Sequence, residues 1–502
     1  MSLRTLIPCL FCFLAAAVGS GLAQSQAQLE CEQAAAQAYE ACLKNGIPCI
    51  PGEPNCGAHK GSPAQCLPAY NASYQRCQPS FNWSGFVPGA NAAWPSGREL
   101  AVYWNDSQGN FWLFGGFGLS APAGTFGGVA APINDLWKYT PTGSPGTVGT
   151  WKQMGGSDQP PVANSSTMPG GRAGAAFAVD AKGNVWVFGG VGYGPNAYGA
   201  LSDLWEYTPG AGAGAGTWKL VWSSGPSVVN QSGNYGTTGT ASSANAPGGR
   251  WNSVCWFDAN GNFFLFGGFA IGSLGGAAWF LNDLWEFSPG SGMWTWLGGQ
   301  TAAGKGGTVT TPGMPGGRAG ASYWSDGKGN VWILGGEGFD STGSLGALND
   351  LWSYNSGNGQ WSMVSGSATV AGATGNYGQQ GTPSANNAPP GRSQATAWKD
   401  PQGNLWLFGG TNADTWIVDS PPPLLQDLFD DTWVYSPASG TWDWVGGPQG
   451  TNSTTAPGAR AGAAAWPEYF PIVWLMGGYG VDSPAQYPVY LYDLWSGNGT
   501  VY

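Results

Sequence analysis

Histidine is almost absent from this chain, which has one, His59, among 502 residues. A Ser-His-Asp triad needs histidine as its general base, and catalytic zinc sites take histidine ligands. Neither kind of site is expected after residue 80, where the sequence has no histidine. Acid–base chemistry by carboxylates stays open, because Asp427, Asp430 and Asp431 lie close together. We expect solvated loop acids here, apart from Asp431, which belongs to the repeat described below.

Charged residues are also scarce, at 9% of the chain, and the net charge is −11. The sequence has no run of Lys or Arg, so we predict no nucleic-acid partner. It also has no apolar run long enough to span a bilayer. A shorter run over residues 6–18 follows Arg4 and precedes Gly21-Leu22-Ala23, which is typical of a secretory signal. We therefore predict a signal peptide over residues 1–23 and an exported protein, either secreted or at the cell surface.

Cysteine is confined almost entirely to the N-terminal part of the chain. Residues 24–80 hold six of the nine cysteines, and an even set in an exported chain predicts disulfides. Two pairs are spaced by 11 residues, about three helical turns, so each pair lies on one helix face. We predict a small disulfide-stapled helical hairpin with the pairings Cys31–Cys77, Cys42–Cys66 and Cys49–Cys56. Other connectivities and a zinc site remain open, and the later Cys255 is expected to be a buried thiol.

A motif that recurs six times occupies the rest of the chain. An Arg follows a small residue, a Gly-Gly pair begins 17 residues later, and an Asp-Leu-Trp or Asp-Thr-Trp run follows. The arginines are Arg98, Arg172, Arg250, Arg318, Arg392 and Arg460. The aspartates are Asp135, Asp203, Asp283, Asp350, Asp431 and Asp493.

Each copy predicts four short antiparallel strands. An Asp-x-x-Gly-Asn turn such as residues 106–110 joins the first two strands, and a Trp marks the fourth. The second strand is apolar on both faces, so both faces must be covered by neighbouring copies. A ring of such sheets is a β-propeller. The sixth copy has no fourth strand of its own, and we predict that residues 81–87 complete it and close the ring.

These repeats resemble the kelch motif, and in particular the secreted type similar to the central propeller domain of galactose oxidase. The resemblance implies an all-β fold over residues 81–502: a six-bladed kelch-type β-propeller behind the N-terminal helical hairpin. In galactose oxidase the copper site uses two His and two Tyr, one of them crosslinked to a Cys. Because this propeller has no His, we predict no copper and no other cofactor. Kelch propellers serve many functions, so the resemblance does not specify one.

The six arginines have two interpretations. Pairing with the six aspartates would make them structural. Alternatively, Arg250 and Arg318 would line a channel mouth and bind a ligand, as the resemblance to the kelch adaptors of ubiquitin ligases implies.

The loops that vary in length all emerge on one face of such a propeller, which makes that face the expected binding surface. Four Trp residues lie in or beside these loops, together with several Tyr residues and many Asn, Gln, Ser and Thr. We predict that they form a platform for a glycan or an extracellular protein: Trp94, Trp251, Trp279 and Trp416. The predicted function is that of a monomeric, non-catalytic binding module. The alternatives are a carbohydrate-active enzyme (galactose-oxidase-like, or a histidine-free sugar isomerase) and a structural protein of the cell surface.

Overall fold

The structure is a computed structural model that describes most of the chain from residue 80 onward. The described residues are 80–86, 93–119, 130–141, 149–160, 162–210, 214–225, 228–271, 278–301, 313–370, 373–413, 427–451, 457–467, 472–481 and 488–500. They are all-β: no α-helix occurs within these ranges, and no helix there is long and apolar enough to cross a membrane. The predicted signal peptide, the helical hairpin and its six cysteines lie outside them.

The strands follow one another in six units, each of which begins at a repeat Arg. One strand precedes them, β1 (Ser80–Phe86). Unit 1 contains β2 (Arg98–Glu99), β3 (Val102–Asn105), β4 (Phe111–Phe114), β5 (Phe117–Leu119), β6 (Ala130–Pro132), β7 (Leu136–Thr140) and β8 (Thr150–Gly155). Unit 2 contains β9 (Arg172–Ala173), β10 (Ala176–Val179), β11 (Val185–Phe188), β12 (Val191–Tyr193), β13 (Tyr198–Ala200), β14 (Asp203–Thr208) and β15 (Thr217–Ser223).

Units 3 and 4 have longer second and third strands. Unit 3 contains β16 (Val254–Phe257), β17 (Phe263–Ile271), β18 (Ala278–Ser288) and β19 (Met293–Gly298). Unit 4 contains β20 (Arg318–Ala319), β21 (Ser322–Ser325), β22 (Asn330–Phe339), β23 (Leu345–Asn355) and β24 (Gln360–Ser365).

Units 5 and 6 complete the series. Unit 5 contains β25 (Thr396–Lys399), β26 (Leu405–Phe408), β27 (Thr432–Ser436) and β28 (Thr441–Gly446). Unit 6 contains β29 (Arg460–Ala461), β30 (Ala464–Pro467), β31 (Ile472–Met476), β32 (Tyr479–Val481), β33 (Pro488–Tyr490) and β34 (Leu494–Thr500).

Each unit builds one main antiparallel sheet with its strands in sequence order. The orders are β3-β4-β7-β8, β10-β11-β14-β15, β16-β17-β18-β19, β21-β22-β23-β24 and β25-β26-β27-β28. The sheet of unit 6 has the order β30-β31-β34-β1, so its outer strand comes from the opposite end of the described chain. In that pairing Ser80 lies opposite Thr500 and Phe86 lies opposite Leu494.

The Asp-x-x-Gly-Asn segments are tight turns between the first and second strands, as the sequence predicted. In unit 1 the Asp106 carboxylate accepts the backbone N–H groups of Gln108 and Asn110, both at 2.9 Å. Gly109 adopts a φ of 77°, a conformation that a side chain would strain.

A smaller second layer lies beyond the Gly-Gly pair of each unit. Both glycines have positive φ, 65° at Gly115 and 103° at Gly116, and the chain then pairs with the strand that carries the Arg. In units 1, 2 and 6 this layer forms separate small sheets, β2-β5-β6, β9-β12-β13 and β29-β32-β33. In units 3 and 4 the long strands run through both layers. The described parts of the connections after Gly-Gly and before each Arg therefore lie on the side of the molecule that carries this second layer.

The hydrophobic core lies between successive main sheets. Buried aromatic clusters join unit 1 to 2, 2 to 3, 3 to 4, 4 to 5 and 5 to 6. A further cluster joins unit 6 to unit 1, where Phe111 stacks on Trp466 with ring centroids 5.5 Å apart. Burial of apolar surface contributes about 25 cal/mol per Å², so these Trp-rich seams are the main stabilising feature of the fold.

Candidate functional site

The six repeat arginines form ion pairs with the six repeat aspartates, and all of these residues except Asp493 are buried. Arg98 donates to both carboxylate oxygens of Asp135, at 2.6 and 2.8 Å, and to the carbonyl of Gly115 at 3.0 Å. The Trp137 indole N–H donates to the same carboxylate at 2.6 Å. The Nη1–Oδ1 distances of the six pairs run from 2.5 to 2.9 Å. These pairs fix the corner where the second layer meets the main sheet, which is the structural role that the repeat spacing predicted.

Arg250 and Arg318 were also candidates for ligand binding at a channel mouth. Their side chains are 1–2% exposed, and their N–H groups donate to Asp283 and Asp350 and to backbone carbonyls. The reason lies in the repeat itself, which places an Asp carboxylate within bidentate reach of every Arg. Neither guanidinium therefore presents a free surface to a ligand.

Two of the predicted platform tryptophans are buried. Trp94 is 8% exposed, donates to the Tyr492 carbonyl at 2.6 Å and packs edge-on against Trp151. Trp251 is 4% exposed and packs edge-on against Phe269 at 4.9 Å. Trp94 packs in the core seam of the main sheets and Trp251 packs in the second layer, so an exposed stacking platform does not form from these two residues.

The other two predicted platform residues are Trp279 and Trp416. The backbone of Trp279 lies in β18 opposite Ala270. Trp416 lies outside the described part of the chain. Their contribution to ligand binding stays a prediction.

Two long loops that precede Arg250 and Arg392 have a structural role of their own. Both contain Gly-Asn-Tyr-Gly, and the tyrosine hydroxyl donates to the repeat carboxylate: Tyr235 to Asp283 at 2.8 Å and Tyr377 to Asp431 at 2.6 Å. These tyrosines therefore brace the ion pairs of units 3 and 5.

The short acidic segment before β27 differs from its prediction. Asp430 is 3% exposed and so is not a solvated loop acid, because it directly precedes Asp431 at the buried corner of unit 5. Across the described ranges, no group of three or more His, Cys, Asp or Glu side chains is placed to hold a metal ion.

A ring of backbone hydrogen bonds lies where the six first strands meet. The residue two positions after each Arg has a φ between 53° and 67° and donates its N–H to the carbonyl of the equivalent residue in the preceding unit. The donor–acceptor pairs are Gly174–Leu100, Asn252–Gly174, Gly320–Asn252, Gln394–Gly320, Gly462–Gln394 and Leu100–Gly462, at 2.6–2.9 Å. The last pair joins unit 1 back to unit 6, so the set of bonds is cyclic.

This ring alternates between side chains and glycines. Units 2, 4 and 6 follow their Arg with Ala-Gly, whereas units 1, 3 and 5 have Glu-Leu, Trp-Asn and Ser-Gln. A Cβ on Gly174 would lie 2.4 Å from the Asn252 side-chain oxygen, and one on Gly462 would lie 3.3 Å from the Leu100 side chain. The side chains of units 1 and 3 thus lean over glycines of the preceding unit.

The ring also concentrates backbone strain. Among the described residues, four that are not glycine have positive φ, and three of them are Leu100, Asn252 and Gln394. Such conformations cost roughly 1–2 kcal/mol each for a residue with a Cβ, and they occur preferentially at functional sites. This clustering marks the ring as the candidate site.

A cavity of about 120 Å³ adjoins the ring and is lined by residues of all six units. Tyr103, Phe177 and Tyr323 form its aromatic side. The Tyr323 hydroxyl donates to the Phe177 carbonyl at 2.7 Å, and the rings of Tyr103 and Phe177 lie 5.0 Å apart. The nearby Cys255 is a fully buried thiol, as predicted, and burial raises its pKa well above the usual range. Tyr103, Phe177 and Tyr323 therefore pack together on one side of the cavity.

Asn252 lines this cavity, and Glu99 directly precedes Leu100, which also lines it. The Asn252 side-chain amide nitrogen is buried and makes no hydrogen bond within the described structure. Glu99 is half-buried one residue before Leu100, and burial raises its pKa from 4.5 to about 8. Buried polar groups are normally paired, so these two can bind a polar ligand.

Sequence reasoning missed the mouth of this cavity, although one signal was present. Units 2, 4 and 6 have the sequence Arg-Ala-Gly-Ala, and units 1, 3 and 5 do not. The six units therefore fall into two alternating sets.

Comparison with known proteins adds little to this description. No family model and no curated protein matches the chain. One solved structure that is similar to it, titled "Structure of YjhT", has a TM-score of 0.45 and 14% identity. The match covers 80% of this chain and 96% of that one. A likeness at this level does not identify a family or a function for this chain.

Proposed function

We propose that residues 81–502 form a closed six-bladed β-propeller of the kelch kind, each unit contributing one blade. The cyclic hydrogen bonds support this, because the last of them joins unit 6 to unit 1. The aromatic seam between units 6 and 1 supports it too, as does the pairing of β1 with β34.

We further propose that the protein is exported, acts without catalysis, and binds a glycan at the axial mouth on its loop-bearing side. The mouth combines amide side chains with a small cavity that has an aromatic side. Neutral hydrogen-bonding groups beside apolar faces suit a sugar, and the volume of about 120 Å³ suits one terminal group of a glycan.

The observation that carries this proposal is the Asn252 amide. Its nitrogen is buried without a partner, and its backbone is held in a strained conformation with φ 54°. An unsatisfied buried donor costs about 1–3 kcal/mol, which a ligand acceptor would recover on binding. A strained and unsatisfied residue at the mouth of a cavity is better explained by a ligand than by stability.

The test is a glycan array with purified residues 24–502, the wild-type protein beside Asn252→Gly. Glycine tolerates the positive φ, so this variant removes the amide and keeps the backbone. Asn230→Gly is the matched control, since Asn230 also has positive φ, 51°, but lies outside the ring. We expect saturable binding that is at least about tenfold weaker in Asn252→Gly, equivalent to about 1.4 kcal/mol.

Two results would count against the proposal. Absence of glycan binding, with capture of a protein ligand at the same mouth, would replace the glycan by a protein partner. Equal binding by wild type and Asn252→Gly would move the site elsewhere.

A histidine-free sugar isomerase is the second candidate, and Glu99 is the observation that favours it. A carboxyl group with a pKa of about 8 can exchange protons near neutral pH, as a general acid or base requires. Isomerisation of a bound sugar, followed by NMR and abolished in Glu99→Gln, would support this candidate. An unchanged rate in that variant would remove it.

A further inference from the structure

Glu99 has no counter-ion among the residues that the structure describes. It lies in β2 next to the axial ring, and within the described residues its side chain takes part in no hydrogen bond or ion pair. The two neighbouring arginines cannot neutralise it, because Arg98 and Arg460 are bound bidentately to Asp135 and Asp493. Its carboxyl group is therefore available to an external group.

Three aromatic rings lie in the second layer near Glu99. Glu99 pairs across β2–β5 with Phe117, whose ring lies 5.9 Å from that of Tyr490. Tyr490 in turn lies 5.3 Å from Tyr479, its partner across β32–β33. Burial first, and the Glu99 charge second, raises the pKa of both Tyr479 and Tyr490. The backbone brings both tyrosines to β2 at the seam between units 1 and 6, because Gly478 donates to the Arg98 carbonyl at 2.8 Å and Arg98 donates to the Leu491 carbonyl at 3.1 Å.

A carboxylate beside aromatic faces is the arrangement that recognises an organic cation. The ring faces attract positive charge, and the carboxylate supplies the full counter-charge. A metal ion is less suitable, since a single carboxylate provides too few oxygen ligands. A neutral hydroxyl group is also less suitable, because it does not need the negative charge of an ionised carboxylate.

We propose that Glu99, Phe117, Tyr479 and Tyr490 bind an alkylammonium group, so that the ligand of the axial mouth is a sugar that carries an amine. This inference rests on the proposed glycan-binding function and names the chemical class of its ligand. Burial keeps the carboxyl group neutral in the empty site until about pH 8. Cation binding therefore has to release a proton below that pH.

The first experiment measures binding of tetramethylammonium by calorimetry between pH 6 and pH 9, because the charge of this probe does not change with pH. Affinity should rise on the order of tenfold per pH unit below pH 8 and then level off, since Glu99 must ionise first. Glu99→Gln should lose the binding, and Tyr490→Leu should weaken it at least about tenfold. Glu286→Gln is the matched control, because Glu286 is also a half-buried carboxyl with a raised pKa but lies in β18, away from the mouth. Absence of tetramethylammonium binding, or equal binding in Glu99→Gln, would overturn the proposal.

The second experiment compares 2-aminoethyl and 2-hydroxyethyl glucoside, which differ only in the ammonium group. Preference for the amine that disappears in Glu99→Gln supports both the amine site and the glycan function. Equal binding of the two glucosides would overturn the inference and leave the glycan function standing. Binding of tetramethylammonium with neither glucoside would keep the ammonium site and overturn the glycan function.

Discussion

The ion pair of unit 3 gives the sharpest test of the fold's energetics. Asp283 is fully buried and Arg250 is 1% exposed. The carboxylate accepts two bonds from Arg250, at 2.6 and 2.8 Å, one from Tyr235 at 2.8 Å and one from Trp285 at 2.8 Å. Asp283→Asn leaves the guanidinium charge buried and uncompensated.

Breaking a buried pair from one side costs about 3–5 kcal/mol. The substitution also turns a charge-assisted bond to Tyr235 into a neutral one, which adds about 1 kcal/mol. The expected loss of about 4–6 kcal/mol is a large part of the 5–15 kcal/mol that stabilises a typical domain. Urea unfolding followed by Trp fluorescence measures it as a shift of the transition midpoint.

Two matched variants separate the contributions. Asp350→Asn breaks the equivalent pair of unit 4, where the carboxylate accepts from Arg318 and Trp352 but, within the described residues, from no tyrosine. It should cost about 1 kcal/mol less than Asp283→Asn. The double variant Arg250→Met/Asp283→Leu removes both charges and should recover most of the loss. A loss below about 1 kcal/mol in Asp283→Asn, or no recovery in the double variant, would refute the reasoning.

Two further substitutions test the axial mouth. Burial raises the pKa of Glu99 from 4.5 to about 8. Between these two pH values the carboxyl group is therefore protonated in the folded state and ionised in the unfolded state. The wild-type free energy of unfolding should therefore fall by about 3–5 kcal/mol between pH 4.5 and pH 8, and Glu99→Gln should remove that part of the fall. Urea titrations at several pH values measure both curves, and parallel curves would contradict the placement of Glu99. Gly174→Ala should cost about 1–2 kcal/mol through its φ of 60°, plus the clash with Asn252. Thermal unfolding should show the clash part vanish in an Asn252→Gly background, and full tolerance of the alanine would contradict the close approach.

The sheets and the ion pairs could be predicted because one repeat encodes them locally. The Asp106 turn and the partner of Arg98 depend on residues within one unit, at separations that recur in every copy. The second strands are apolar on both faces, so the sequence also predicted that a neighbouring sheet packs on each face.

The mouth could not be predicted in this way. Leu100, Asn252 and Gln394 lie about 150 and 140 residues apart in the sequence, and only the arrangement of the units brings them into one ring. Trp251 shows a second limit, because a Trp near a loop has the same local sequence whether it faces solvent or packs on Phe269. The sequence predicted a binding platform from such residues, whereas the strained and unsatisfied groups lie in the ring of backbone hydrogen bonds.

Closure of the ring by β1 is the central claim, and a disulfide tests it most directly. Ser84 lies opposite Ser496 in the pairing of β1 with β34. In Ser84→Cys/Ser496→Cys, oxidation should form a bond within one chain, found by peptide mapping, and should raise the melting temperature. Absence of this bond in the folded protein, or its formation only between two chains, would contradict the closed six-bladed propeller.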